Sequence, residues 1–195
     1  MQIVKIFFIA FMLQAWVANG TDWGSTNATS GDSYVRDACS VTRYQDLCIH
    51  SLSSFSYVAK QSPAKWARVG LSVTIGEARN TDQYLNKLKK KGIMRPQNRA
   101  AISDCIECFQ DAIDNLYKSL GVLRKLDARN FYSQMGDLTT WMSAALTDED
   151  TCLDGFEDQN RVQISMLRNR VLRVNYITSN ALALVNKLAT SGAEA

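Results

Sequence analysis

The chain has 195 residues, 46% of them hydrophobic, and its 22 Lys and Arg side chains outnumber its 19 Asp and Glu side chains to give a formal net charge of +3. This excess is too small to indicate nucleic acid as a partner. The length suits one domain with a substantial core.

The first 20 residues predict a signal peptide. Lys5 precedes an apolar run at residues 6–18, and the small residues Ala18 and Gly20 fit a signal-peptidase site after Gly20. A membrane span needs roughly 20 apolar residues, whereas this run is shorter and contains Gln14. No later stretch is apolar enough to span a bilayer. The sequence therefore predicts a secreted, extracellular protein with no membrane partner.

Two short regions precede the main domain. Residues 21–33 are rich in Ser, Thr, Gly and Asp and predict a flexible tail. This tail contains Asn27 within an N-glycosylation acceptor sequence. Residues 34–62 contain Cys39 and Cys48 among scattered apolar residues. They predict a helical hairpin whose apolar side packs on one end of the main domain or on another molecule.

Residues 63–190 predict four helices. Pro63 and Pro96 stand where helices begin, and the lysines before Gly92 suit a helix end. The first helix is irregular, because Asp82 interrupts its apolar stripe. In the other three, apolar or small residues recur alternately four and three apart: Ile102, Ile106, Phe109, Ile113, Leu116, Leu120 and Leu123; Phe131, Met135, Leu138, Met142 and Ala145; Ile164, Leu167, Val171, Val174, Thr178, Ala181, Val185 and Leu188. This spacing predicts an all-α, up-down-up-down four-helix bundle.

The five cysteines predict disulfides, since the protein is expected to be secreted. Cys39 and Cys48 are close enough in sequence to close the hairpin. Cys105 lies early in the second bundle helix, and Cys152 is expected at the turn into the fourth. These positions meet at one end of an antiparallel bundle, so a Cys105–Cys152 bridge is sterically reasonable. Cys108 is then a free thiol beside the core, with burial expected.

No arrangement for catalysis or metal binding is visible. Cys105 and Cys108 form a C-x-x-C pair, but redox pairs of this type follow a strand, and structural zinc needs four ligands. His50 is the single histidine. The acidic residues at 148–150 follow Thr147 and are interpreted as the start of a helix. The sequence therefore predicts neither an enzyme nor a cofactor.

Three segments resemble the plant invertase and pectin methylesterase inhibitor family. They are residues 35–48 (VRDACSVTRYQDLC), residues 104–109 (DCIECF), and residues 140–147 (TWMSAALT) with 151–156 (TCLDGF). The resemblance covers essentially the whole mature chain and implies a four-helix bundle with an N-terminal helical hairpin. It also implies two bridges, Cys39–Cys48 and Cys105–Cys152, with Cys108 outside the shared set. Phe109 stands where the family commonly has tyrosine.

The resemblance favours the pectin methylesterase inhibitor branch. Invertase inhibitors often carry a Pro-Lys-Phe stretch between the second and third bundle helices, and residues 125–132 (KLDARNFY) lack it. The TWMSAALT segment is similar to the pectin methylesterase side and to pro-regions of that enzyme. Because no catalytic domain follows, a free-standing inhibitor is expected. It would form a reversible 1:1 complex that covers the pectin-binding cleft of the enzyme in the cell wall, the apoplast. The alternative is an invertase inhibitor.

Polar residues on the solvent side of the second and third bundle helices are the predicted partner-binding residues, and Trp141 is expected in the core. This set is Gln134, Asp137, Thr140, Ser143, Thr147, Asp111, Asn115 and Lys118. A basic group near the end of the first bundle helix predicts either a solvated helix end or contact with a polyanion such as de-esterified pectin. It consists of Lys87, Lys89, Lys90, Lys91 and Arg95. A wall-binding module and a ligand carrier are the remaining alternatives.

Overall fold

The computed structural model describes residues 30–91, 96–156 and 162–192, and the side chains of Ser30, Gln97, Val162 and Gln163 are not described. The predicted signal peptide, the Asn27 acceptor site and Arg95 lie outside the described residues. Within these ranges the fold is all-α and contains no strand. The all-α prediction is confirmed.

An N-terminal hairpin precedes the bundle. It consists of helix α1 (Ser30–Cys39), helix α2 (Gln45–Leu52), a 3-10 turn (Ser53–Phe55) and the single-turn helix α3 (Ser56–Ala59). The Cys39–Cys48 bridge joins α1 to α2, with a Cα–Cα distance of 5.8 Å. The expected hairpin and its bridge are both present.

Helix α1 begins earlier than expected. The predicted flexible tail extends to residue 33, yet residues 30–33 are the first turn of α1. Gly31 is buried, and a Cβ atom added to it would lie 3.0 Å from the ring of Tyr57. The polar composition of this segment predicted flexibility, whereas its packing against Tyr57 makes it part of the hairpin. The expectation for residues 30–33 is wrong.

Four long helices form the bundle, each beside its neighbours in a closed ring. They are α4 (Pro63–Lys91), α5 (Pro96–Arg124), α6 (Phe131–Asp154) and α7 (Val162–Ser191). The ring order is α4, α5, α6, α7, with α7 also against α4. Short connections between successive helices therefore produce the predicted up-down-up-down bundle.

The predicted stripes of α5, α6 and α7 build one continuous core. Every residue of these stripes is buried except Ile113, which is partly buried and packs against the core. On α4, Leu71, Ile75, Ala78 and Leu85 are buried, while Asp82 is partly exposed and accepts a hydrogen bond from Asn86 at 3.0 Å. The spacing of apolar residues thus predicted which side of each helix faces inward.

The hairpin packs on the bundle beside the start of α4 and the later part of α7. Its core residues Val35, Leu52 and Ala59 cluster with Trp66 of α4 and Leu184 of α7. The apolar side of the hairpin therefore packs on one end of the bundle, which was one of the two predicted positions.

Helix α6 continues past the position where the sequence suggested a new helix. Residues 147–150 lie inside α6, and Cys152 is in its last turn rather than at a turn into α7. The inward stripe explains this, because Met142 and Ala145 are followed at the same spacing by Glu149 and Cys152, all buried. The Cys105–Cys152 bridge is nevertheless present, with a Cα–Cα distance of 4.4 Å, because the end of α6 lies beside the early part of α5.

Candidate functional site

The outward side of α6 carries half of the predicted partner-binding residues. Asp137, Thr140, Ser143 and Thr147 are all exposed. They occupy a helix of 24 residues that is fixed to the core along its opposite side. We call this surface, together with Asp111, Asn115 and Lys118 of α5, the α5–α6 face.

The threonines of this face are oriented by the helix itself. The Thr140 hydroxyl donates to the carbonyl of Gly136 at 2.9 Å, and the Thr147 hydroxyl donates to that of Ser143 at 3.1 Å. A hydroxyl has one hydrogen and two lone pairs, so each oxygen keeps acceptor capacity toward solvent. These two threonines therefore present hydrogen-bond acceptors to a partner.

Gln134 has a different position from the other α6 residues. It is half-buried, its side-chain oxygen accepts from the Asp127 N–H at 2.8 Å, and its amide donates to the Lys125 carbonyl at 3.1 Å. Both ends of the amide thus hold the connection between α5 and α6. Gln134 shapes the edge of the α5–α6 face through this loop.

On the α5 side, Asp111 and Lys118 are exposed and Asn115 is half-buried. The carboxyl group of Asp148, on α6, lies close to Asp111 and Asn115. Burial raises the pKa of Asp148, the charge of Asp111 raises it further, and a hydrogen bond with Asn115 lowers it. The acidic residues at 148–150 predicted a helix start instead. Because Asp111 and Asn115, the neighbours of this carboxyl group, come from another helix, the spacing within α6 did not predict its position.

Cys108 is a half-buried free thiol of α5 that packs against the core near the Asp148 carboxyl group. Burial raises the pKa of this thiol, and the negative charge of Asp148, followed by those of Asp111 and Asp104, raises it further. A raised pKa keeps the sulfur as an unreactive thiol near neutral pH. Within the described part of the chain, no group of three or more His, Cys, Asp or Glu residues is placed to hold a metal ion.

Glu149 is a buried carboxyl group in the bundle core, which the sequence did not predict. Its side chain is 0% exposed, and the Thr178 hydroxyl donates to its Oε1 at 2.7 Å. Its Oε2 has no hydrogen-bond partner among the described residues. Burial raises the pKa of Glu149 to about 8, with smaller upward contributions from Asp150 and Asp148 and a lowering one from Thr178. The group is therefore neutral at acidic pH, and it belongs to the core rather than to a surface site.

Charge is distributed unequally between the two halves of the bundle. Helices α5 and α6 contain three cations and nine carboxyl residues; the carboxyl residues are Asp104, Glu107, Asp111, Asp114, Asp137, Asp148, Glu149, Asp150 and Asp154. Helices α4 and α7 contain two carboxyl residues and eleven cations, namely Lys65, Arg68, Arg79, Lys87, Lys89, Lys90, Lys91, Arg168, Arg170, Arg173 and Lys187. Helices α5 and α6 together are thus acidic, and the opposite pair of helices is basic.

The predicted polyanion-binding lysines lie at the end of α4, where Lys87, Lys89, Lys90 and Lys91 are all exposed. Trp141 is half-buried on α6, so the expectation of a core residue is met only in part. A cavity of about 10 Å³ between the hairpin and the bundle, lined by Leu47, Gly70 and Leu184 among others, has room for about one water molecule and gives no support to a ligand carrier. None of the described helices is long and apolar enough to cross a bilayer.

Comparisons with known proteins agree with this architecture. A sequence model described as "Plant invertase/pectin methylesterase inhibitor" matches residues 33–184. The chain is 47% identical over 166 residues to Pectinesterase inhibitor 6 of Arabidopsis thaliana, covering 84% of this chain and 79% of that protein. It is 32% identical over 190 residues to Pectinesterase inhibitor 3 of the same plant, covering 94% and 92%. A crystal structure of a mutant pectin methylesterase inhibitor from Arabidopsis has the same fold, with a TM-score of 0.64 at 24% identity over 77% of this chain and 93% of that one.

Proposed function

Because the chain belongs to the plant invertase/pectin methylesterase inhibitor family, we propose that it is a secreted inhibitor of pectin methylesterase that acts in the plant cell wall. It is an inhibitor domain and not itself an enzyme. The observation that carries the choice of target is the 47% identity, over most of both chains, to a protein named as a pectinesterase inhibitor.

The α5–α6 face is the surface proposed to meet the enzyme. It is rigid, since the helices behind it are packed into the core and joined by the Cys105–Cys152 bridge. It offers acceptors and carboxylates, so it suits a partner that presents N–H donors or cations around its cleft. Binding of this kind would exclude substrate from the cleft in a reversible 1:1 complex, with no covalent step.

Titration of two enzymes tests the target. The purified chain, with both bridges formed, is added in increments to a plant pectin methylesterase and, separately, to an acid invertase. We expect esterase activity to be fully lost at one inhibitor molecule per enzyme molecule, while invertase activity is retained. Loss of invertase activity alone would support the alternative target within the family. Retention of both activities would contradict inhibition of either enzyme.

Substitution on the α5–α6 face tests the interface. Thr140→Arg with Thr147→Arg introduces bulk and positive charge where acceptors are proposed to meet donors, so we expect inhibition to weaken by at least ~10-fold. Thr190→Arg is the matched control, because Thr190 is an exposed threonine of α7 whose hydroxyl also donates to the carbonyl four residues earlier. Inhibition constants for the three proteins, compared at equal thermal stability, check this. Equal inhibition by all three would place the interface elsewhere.

A further inference from the structure

The side of the bundle formed by α4 and α7 carries a strip of exposed positive charge. The Arg170 guanidinium lies 4.7 Å from the centre of the Tyr84 ring, which brings α7 and α4 together at this level. Lys87 and Lys91 follow Tyr84 on the same side of α4, and Arg173 follows Arg170 on α7. We call Lys87, Lys91, Arg170 and Arg173 the basic strip; all four side chains are exposed.

The described residues do not neutralise this strip. The ion pair that they contain joins Lys187 to Asp37 at the hairpin, and helix α7 has no carboxyl residue. Asp82 of α4 lines a groove with residues of α5, away from α7. Glu77 lies two turns before Tyr84 and forms no ion pair with the strip. Four cations on adjacent helices, none in an ion pair with a described carboxylate, create a local positive potential well above that expected from the net charge of the chain.

We propose that the basic strip binds a linear polycarboxylate, of the kind produced when the methyl esters of a uronate polysaccharide are hydrolysed. The choice of this polymer rests on the proposed function, because ester hydrolysis leaves a carboxylate at each former ester. Arginine pairs with carboxylates through its planar fork, and lysine acts as a mobile point charge. The neutral methyl-esterified polymer offers no such partner, so the strip distinguishes product from substrate.

A lipid surface is a poorer match to the strip. Helices that lie on membranes pair their cations with an apolar side that enters the bilayer. Among the large hydrophobic side chains that are exposed in the described residues, Met166 alone belongs to α4 or α7. The strip thus has charge without the apolar surface that would anchor it in lipid.

The basic strip and the α5–α6 face can be occupied together. Helix α4 lies diagonally across the bundle from α6, since each is flanked by α5 and α7. A chain bound along α4 and α7 therefore leaves the outward side of α6 free for the enzyme. The inhibitor would be retained where de-esterified polymer has accumulated.

Binding is measured without enzyme, by sedimentation with insoluble de-esterified homogalacturonan and with fully methyl-esterified polymer. The strip variant carries Gln at all four positions. The control variant loses the same charge at exposed sites in the hairpin, beside it and at the start of α4, away from the α5–α6 face: Arg36→Gln, Arg43→Gln, Lys60→Gln and Lys65→Gln. We expect the native chain to bind only the de-esterified polymer, the strip variant to bind it at least ~10-fold more weakly, and the control to change by no more than about 2-fold.

Several results would overturn the proposal. These are equal binding to both polymers, equal losses in the two variants, or strip-dependent binding to phosphatidylserine vesicles as strong as that to the polymer. Inhibition of soluble pectin methylesterase is assayed in parallel and should be the same for all three proteins. If the native chain binds the polymer but does not inhibit the esterase, the result counts against the proposed target alone. If it inhibits the esterase but does not bind the polymer, the result counts against the strip alone.

Discussion

At the scale of single residues, the most consequential side chain is Glu149. A carboxyl group that is fully buried with one unpaired oxygen favours its neutral form, since an unpaired buried charge is costly. Its folded-state pKa of about 8 lies above the ordinary value of 4.5. The folded protein therefore holds a proton that the unfolded chain releases.

This proton predicts that the fold is more stable in acid. The stabilisation that Glu149 contributes should be fully present below about pH 4.5. As the pH rises toward 8 it should be lost, which lowers the free energy of unfolding by about 1–4 kcal/mol. Glu149→Gln keeps an oxygen for Thr178 and has no charge to bury, so its stability should vary much less over this range. Urea unfolding at pH 5 and pH 8 measures the difference, with the exposed residue change Glu107→Gln as control. Parallel pH dependence in all three proteins would contradict the assignment.

Residue patterns in the sequence predicted the core but not Glu149. The stripe that continues from Met142 and Ala145 points directly to position 149. Residues 148–150 instead predicted the start of a helix, where carboxylates are common and exposed, and the flanking Asp148 and Asp150 do reach the surface in part. The partner Thr178 could not be identified, since it comes from another helix.

At the scale of elements, one side chain of α7 binds the backbone of the hairpin. The buried Asn180 amide accepts from the Tyr44 N–H at 3.1 Å and donates to the Tyr44 carbonyl at 2.9 Å. The Tyr44 ring also stacks on Tyr176, with ring centres 4.0 Å apart. Asn180 thus pairs with the backbone as a peptide group would, and it fixes the start of α2 against the bundle.

Removal of this amide should loosen the hairpin more than the bundle. Asn180→Ala leaves the Tyr44 N–H without its partner, at a cost of about 1–3 kcal/mol. The Tyr44 carbonyl keeps the hydrogen bond that it accepts from the Cys48 N–H at 2.9 Å. We expect amide hydrogen exchange in α1 and α2 to speed up while α5 and α6 keep their protection. Asn186→Ala, at an exposed position of the same helix, serves as control. Uniform loss of protection across the chain would show that the hairpin does not open separately.

The boundaries of elements were less predictable than their existence. Helical periodicity identified all four bundle helices, yet the end of α6 was placed too early because its acidic residues are of the kind that begins helices. The start of α1 was missed because residues 30–33 are polar, and the contact of Gly31 with Tyr57 depends on a residue 26 positions away. Local composition does not report such packing.

At the scale of the whole molecule, the two disulfides constrain loops of very different length. The Cys39–Cys48 bridge spans 9 residues, and the Cys105–Cys152 bridge spans 47. Loop-closure entropy predicts contributions of about 2.7 and about 4 kcal/mol respectively. Loss of the Cys105–Cys152 bridge should therefore lower the free energy of unfolding more than loss of the Cys39–Cys48 bridge.

Paired alanine variants test this order. Cys105→Ala with Cys152→Ala should lower the free energy of unfolding by more than Cys39→Ala with Cys48→Ala, because the longer loop frees more conformations in the unfolded chain. Both variants remove two buried sulfur atoms, so the cost of lost packing is similar. Urea unfolding of the two variants and the native chain measures the difference. A larger loss from the hairpin bridge would contradict the loop-entropy explanation.

The separation of charge between the two halves of the bundle also gives the molecule a preferred orientation near a charged surface. With cations on α4 and α7 and carboxylates on α5 and α6, the protein carries an electric dipole moment across its long axis. Near an anionic matrix this dipole produces a torque before any contact forms, over a range of about 8–10 Å at physiological salt. The molecule would arrive with its basic side inward, so that the acidic side already faces the solution from which an enzyme approaches.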